Sequence, residues 1–409
     1  MSGCGTEHGL ISVDHALDLI LQHTKVLATE RLKLNQALNR YLAEDVYSNI
    51  NLPLFSQSAV DGYAICAESA IEPDTEFELI GEIQAGHSSE LQLKAGQAVR
   101  IFTGAKIPFA TTTVARQEIV QVIDVSTIKI TENLKANADI RDVGEEISVG
   151  QLLANKGQQL SVGAMASLSM AGIQAVEVFK YPKVAVVITG DEVAESIEDF
   201  ATGKIFDANG PLIEAWFQNQ AQQVEIFHVA DTEAAVQALI QKLSESHDLI
   251  LTTGGVSVGD YDFIRPVTLD LGFEQIFWKV KQKPGKPMFF AQLERADDSY
   301  CYLLGLPCNP AAVFVGTQFY TPTLLNALHG QTHQPQWFSA VLNHDLKMDA
   351  RERFLRMFAS FDQSVLKVKS LSKQQSHMLS NLMQANCLVR IPAGQSLNEG
   401  EIVHGLFIH

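Results

Sequence analysis

The chain has 409 residues, which is too long for one hydrophobic core and calls for about two to four domains. It is 46% hydrophobic and 19% charged, as globular proteins are, and its net charge of −17 argues against non-specific binding to nucleic acid or anionic membrane, both of which need a basic surface. The five cysteines (Cys4, Cys66, Cys301, Cys308 and Cys387) are odd in number, scattered and without a CxxC pair, which argues against a disulfide framework or structural zinc and fits a reducing cytoplasm; the acid-interrupted N-terminus is no signal peptide, and no apolar run reaches the roughly 18 residues of a membrane span.

Residues 12–29 place Val13, Ala16, Leu17, Ile20, Leu21 and Leu27 near helical spacing behind Ser12, a suitable N-cap. His15 and His23 on this segment read as surface or packing residues rather than metal ligands. From Leu32 to Tyr63 the pattern loosens. Residues 74–149 read as β: Phe77–Ile80, Ala98–Phe102, Ile119–Val125 and Thr127–Ile130 alternate between Gly, Pro, Asn and Asp clusters. Residues 160–175 predict a helix rich in small residues, with Gly172 near its end.

Pro182 marks a boundary, after which strands and helices alternate. Residues 184–189, 224–230 and 248–253 predict strands; 209–221 and 232–246 predict helices, the first with Asn209 as N-cap and Pro211 in its first turn. The strand-like segments 275–282 and 288–293 follow, then a strand running into a long apolar helix near 310–328. Alternation with continuously apolar strands predicts a largely parallel sheet covered on both faces. After His329 a polar linker (329–336) leads to β-like alternation that suits a small all-β module.

Four stretches of the α/β region could bear chemistry. Thr252-Thr253-Gly254-Gly255 ends a buried strand, and its glycines can turn N–H groups towards an anion; Ser257, Asp260 and Asp262 follow. Thr189-Gly190-Asp191-Glu192 ends another strand, where two carboxylates suit either a hard cation such as Mg²⁺ or the first turn of a helix. Lys279, Lys281, Lys283 and Lys286 bracket Pro284-Gly285; they suit an oxyanion or form a solvated basic edge. Gly305-Leu306-Pro307-Cys308-Asn309-Pro310 is fixed by two prolines just before a helix, as an anion loop or a plain structural turn, and Cys308 has no neighbouring base. No Ser-His-Asp spacing, P-loop or GxGxxG is present.

Together with Ser58–Ala64, Ile101–Ala105, Ile140–Glu146, Ile205–Asn209 and Lys283–Pro287, these segments follow one another in an order and spacing that resembles the MoeA family, the molybdopterin molybdenumtransferases, to which the E domain of gephyrin is related. The likeness covers nearly the whole chain. It implies a multidomain α/β plus β protein. Its parts are a helical linking domain from residues 1–45 and 145–180, an inserted β domain at 46–144, a mostly parallel three-layer α/β/α domain at 181–329, and a C-terminal β-barrel at 330–409. It implies an elongated homodimer with a shared site, in the cytoplasm, that binds adenylylated molybdopterin and molybdate and, with Mg²⁺, releases AMP and leaves molybdenum on the dithiolene sulfurs. Asp61, Thr103, Lys283 and Lys286 would then be catalytic. Thr252, Thr253, Gly254, Gly255, Ser257, Pro307, Asn309, Pro310, Arg353 and Ser376 would bind substrate, and Glu192, Asp262 and Glu146 would hold Mg²⁺. Substrate would be channelled by transient contact with the molybdopterin adenylyltransferase.

The sequence departs from the family pattern in three places. Cys308 replaces a glycine, Glu146 an aspartate, and Phe109–Thr112 a segment with Gly and Asp. A Cys at a position of positive φ would be strained. Two other readings stay open. One is an enzyme like the molybdopterin adenylyltransferase, which shares the α/β domain but lacks the flanking β domains. The other is a non-catalytic scaffold like the gephyrin E domain.

Overall fold

The computed structural model of the protein describes residues 10–87, 91–190, 193–194, 204–257, 259, 262–332 and 334–408. Its contacts separate two units: Met1–Glu30 with Asn39–Ala43 and Phe179–His409, and Arg31–Leu38 with Glu44–Val178. Among the described residues no helix is long and apolar enough to cross a membrane.

The first unit opens with α1 (Val13–His23). Ser12 caps it, its hydroxyl accepting from His15 N–H at 3.2 Å, and Val13, Ala16, Leu17 and Ile20 are fully buried. The helix stops short of the expected residue 29: Thr24 is extended, and its hydroxyl returns to the Ile20 carbonyl at 2.6 Å. An α/β/α layer structure follows. It comprises β1 (Val184–Thr189), α2 (Asn209–Asn219), β2 (Val224–Val229), α3 (Glu233–Ser246), β3 (Leu249–Thr253), α4 (Ile264–Asp270), β4 (Glu274–Trp278), β5 (Gln282–Lys283), β6 (Phe289–Glu294), β7 (Tyr300–Leu306) and α5 (Pro310–Leu328).

The sheet order is β2-β1-β3-β7-β6-β4. The first four strands are parallel, while β6 and β4 pair antiparallel, so the sheet is mixed at one side. The alternation of side chains along β1 explains the two covered faces. Val184, Val186 and Ile188 pack with Phe217 of α2 and Phe319 and Leu324 of α5, and α1 joins this core. Ala185 and Val187 face the other way, onto Val236 and Ile240 of α3 and Ile264 and Val267 of α4. Each fully buried Leu, Ile or Phe stabilises the fold by roughly 1.5–3 kcal/mol. Asn209 does not cap α2. The Asp207 carboxylate does, accepting from the N–H groups of Asn209 at 2.8 Å and Gly210 at 3.2 Å, because its position two residues upstream reaches both.

The C-terminal module comprises β8 (Phe338–Leu342), β9 (Glu352–Asp362), β10 (Val365–Ser370), β11 (Cys387–Ile391) and β12 (Ile402–Phe407). The order β9-β10-β8-β12-β11 closes where β11 pairs back onto β9, making the expected small barrel around Leu342, Met357, Val368 and Val389. β5, from the α/β layers, adds to β9 in parallel and aligns Lys283 with Arg353. Arg390 ties α1 to the barrel through a bidentate pair with Asp14 (2.7 and 2.9 Å) and a bond to Glu352.

The second unit holds a six-stranded sheet in the order 113–116, 62–65, 97–101, 76–83, 127–130, 120–122. Both faces are apolar by simple alternation: Tyr63 and Ile65 look into one cluster, Ala64 into the other. Its helix, Val162–Met170, is shorter than expected, capped by Ser161, and followed by Gly172 at φ +76°.

Candidate active site

The carboxyl ends of β3 and β7 and the β5 turn meet the barrel around a cavity of about 620 Å³. Strand ends of a parallel sheet are where open α/β folds expose loops without losing ladder hydrogen bonds. The lining includes Gly254, Gly255, Ser257, Asp262, Lys283, Lys286, Pro307, Asn309, Arg353 and Ser376, all expected from the sequence. Thr252 and Thr253 are buried beneath it, and Pro310 forms the first turn of α5 rather than the wall.

The glycine pair explains the first wall. Gly254 has φ +103° and Gly255 φ +66°, conformations that L side chains rarely take. A Cβ on Gly255 would lie 2.5 Å from Ile264 Cγ1, and one on Gly254 2.5 Å from Thr189 Oγ1, so α4 and the end of β1 pack directly on the loop backbone. Trp278 Nε1 donates to the Val256 carbonyl at 2.8 Å, and the Trp278 ring lies 4.0 Å from the Arg265 guanidinium and 4.1 Å from the Lys279 ammonium. Asp262 closes the far end of the loop, accepting from Gly259 N–H at 2.6 Å. Asp191, Glu192 and Asp260, singled out in the sequence, lie outside the described residues.

The lysine cluster divides. Lys283 and Lys286 line the cavity, whereas Lys279 stacks on Trp278 and Lys281 is not part of the lining. The pattern of basic residues did not foretell this: a spacing of two predicts one shared face, but Lys279 takes φ +72° and breaks the alternation. Lys283 Nζ pairs with Asp349 Oδ2 at 2.8 Å, and this hydrogen bond is the main cause holding the Asp349 carboxyl below its ordinary range, with the Arg351 amide second. The lysine is about half exposed (51%), so the pair itself adds at most about 1 kcal/mol; its role is to aim the ammonium.

The barrel supplies the opposite wall: Arg351, Arg353, Gln374, Gln375, Ser376 and His377. Arg356 lies behind it, only 2% exposed, and donates to the carbonyls of Met378 (2.7 Å), Lys373 (2.9 Å) and Gln375 (3.3 Å). The Gln374 side chain binds both backbone groups of Arg356. A buried guanidinium thus fixes the 373–378 segment. Ser376 offers its carbonyl to Ala311 N–H of α5 at 3.0 Å. Four cations, Lys283, Lys286, Arg351 and Arg353, line one cavity of a chain carrying −17, which focuses positive potential there.

Cys308 is exposed and lines the cavity, and it is not among the residues with positive φ, so the loop accepts cysteine without the strain the family pattern suggested. Asn209, at the start of α2, anchors this loop by donating to the Cys308 carbonyl at 2.9 Å. Sequence reasoning missed Asp349, Arg351, Gln374, Gln375 and His377 as parts of the site. Arg351 belongs to a run of charges (Arg351, Glu352, Arg353, Arg356) that reads equally as solvated surface, and the others carry no motif.

The remaining expected residues belong to the second unit. Asp61 Oδ1 accepts from both Thr103 N–H and Thr103 Oγ1, each at 2.8 Å, and these bonds lower the Asp61 pKa, with a small contribution from Arg100. Asp61 therefore stays ionised and fixed in orientation. Glu146 is exposed on a turn, its N–H bound to the Leu52 carbonyl at 3.0 Å. Among the described residues no three His, Cys, Asp or Glu side chains group as metal ligands.

Three family models match the chain: the MoeA N-terminal region (domain I and II) over residues 11–172, a probable molybdopterin binding domain over 185–326, and the MoeA C-terminal region (domain IV) over 339–407. The molybdopterin molybdenumtransferase of Haemophilus influenzae is 33% identical over 386 residues, covering 93% of this chain and 94% of its own. That of Staphylococcus epidermidis is 33% identical over 403 residues, covering 96% and 94%. Two crystal structures of the molybdopterin biosynthesis protein MoeA from Pyrococcus horikoshii are similar. One has TM-score 0.82 at 25% identity, covering 98% of this chain and 100% of that one. The other has TM-score 0.78 at 27% identity, covering 97% and 99%.

Proposed function

The chain belongs to the MoeA family, and on that footing we propose that it is a molybdopterin molybdenumtransferase acting in molybdenum cofactor biosynthesis. In this reading it takes adenylylated molybdopterin, delivers molybdate to the dithiolene sulfurs and releases AMP. The observation that carries the reading is the cavity itself: glycine amides on one side and four guanidinium or ammonium groups on the others, a chemistry matched to phosphate and oxyanion.

The roles follow from the positions. The Gly254-Gly255 loop and the Pro307–Asn309 loop would take the nucleotide phosphates, since both line the cavity and the glycine pair carries no side chain. Lys283, oriented by Asp349, and Lys286 would hold molybdate and stabilise charge developing on the departing AMP. Arg351 and Arg353 would bind the pterin phosphate from the barrel side. Asp262 offers a hard oxygen at the cavity, and Mg²⁺ is usually held by one or two carboxylates together with substrate phosphates, so the residues present fit that ion. When bound it would neutralise charge on the bridging phosphate oxygens.

Titration calorimetry with sodium molybdate and with AMP tests the reading. Both should bind, and Lys283→Ala and Lys286→Ala should each weaken molybdate about tenfold or more, an amount that corresponds to loss of one charge-assisted contact. Binding of neither anion, or binding indifferent to both lysines, overturns it.

A further inference from the structure

The turn that presents Lys283 and Lys286 rests on a polar pair sealed inside the core. Gln282 has no exposed surface. Its Oε1 accepts from the Tyr320 hydroxyl at 2.5 Å, and its Nε2 donates to the Pro284 carbonyl at 3.2 Å. Tyr320 lies on α5, also with no exposed surface, and burial raises its hydroxyl pKa well above the ordinary value, so it remains a donor. A Cβ on Gly285 would stand 2.7 Å from Gln282 Nε2, so the amide packs directly under the turn backbone. Gly285 also faces Ala312 of α5, a cavity-lining residue. Pro284, the residue held, stands between the two lysines.

Burying an amide and a phenol in an apolar core is costly, and the pair returns little to stability that leucine and phenylalanine would not supply. What it does supply is direction: one fixed donor under one carbonyl of the turn. Resting on the reading of the cavity as an oxyanion site, we propose that Tyr320 and Gln282 are positioning residues, which act through the Pro284 carbonyl to set the placement of Lys283 and Lys286 and hence the affinity for molybdate. They touch no substrate.

The test uses the full-length protein and two variants. Tyr320→Phe removes one oxygen; Tyr320→Phe/Gln282→Met replaces both partners by apolar groups of similar size, so that neither side chain leaves an unpaired polar atom in the core and only the carbonyl of the half-buried Pro284 loses its donor. Molybdate Kd, molybdate KM and kcat for AMP release, and Tm are measured for each. The expected result is Kd and KM raised about tenfold in both variants, with kcat lowered as well because the same two lysines face the departing AMP, and the double variant melting close to wild type. In a Lys283→Ala background, Tyr320→Phe should add much less than it does alone, because both changes act through one turn. Unchanged Kd and KM in folded variants, or full additivity with Lys283→Ala, overturns the proposal while leaving the cavity reading intact. A wild-type protein that binds no molybdate overturns both.

Discussion

Lowering the pH should destabilise the first unit through one histidine. His329 ends α5, is 1% exposed, and stacks on Tyr41 with ring centroids 4.7 Å apart and planes within 7°. Tyr181 meets it edge-on at 6.0 Å, and the Arg40 guanidinium lies over Tyr181 at 4.2 Å. Burial first, and the Arg40 charge second, bring the imidazole pKa down from 6.5 to about 4. The sign follows directly. Above pH 6.5 neither the folded nor the unfolded chain protonates this ring, and the full stability is present. Between pH 6.5 and about 4 the unfolded chain takes up a proton that the folded chain refuses, so stability falls as pH falls. At 1.36 kcal/mol per unit, the loss down to pH 4.5 is roughly 2–3 kcal/mol. His329→Phe keeps an aromatic ring against Tyr41 and cannot titrate. Urea unfolding of both proteins between pH 7.5 and 4.5, followed by fluorescence, gives the difference in stability at each pH, in which all other titrating groups cancel. The variant should gain on wild type by about 2–3 kcal/mol across that range. A difference independent of pH would falsify the linkage.

Other outcomes follow from the walls of the cavity. Gly255→Ala forces a left-handed conformation on alanine, at roughly 1–2 kcal/mol, and drives a methyl into Ile264; a loss of about 2–4 kcal/mol in chemical denaturation and of AMP binding is expected, and a variant of wild-type stability would refute the packing argument. Arg356→Met should release the 373–378 segment, costing about 2–4 kcal/mol and increasing amide exchange there first; protection unchanged at Gln374–His377 would contradict it. If the site is shared in a homodimer, as the family resemblance implies, Asp61→Ala and Lys286→Ala proteins, each impaired, should regain part of their activity when mixed subunits are formed; no recovery in verified mixed dimers counts against sharing.

Much of the fold is legible where local chemistry and tertiary packing agree. VAVVIT is a run of β-branched and small apolar residues bounded by lysine and glycine, and it is strand β1 residue for residue. Pro310 and the apolar run behind it mark α5 with equal clarity. Reading fails where one side chain overrules a pattern. The Thr24 hydroxyl ends α1 although apolar spacing continues to Leu27, and Asp207 takes the capping role that Asn209 promised. The site is legible in its loops, because glycine and proline leave marks in sequence, but not in its distant partners. Lys283 and Asp349 are 66 residues apart, and the strand pairing β5–β9 that joins them belongs to the tertiary fold. Gln282 looked like one polar residue in a basic run; only the fold shows it beneath the turn, bonded to a tyrosine 38 residues away.

The most direct measurement is AMP release from adenylylated molybdopterin in the presence of Mg²⁺, with and without molybdate, for the wild-type chain and for Lys286→Ala. Molybdate-dependent AMP release by the wild type, with at least a tenfold loss in the variant, is expected if the cavity is where the two substrates meet. No AMP from the wild-type protein, or equal release by the variant, would contradict that assignment.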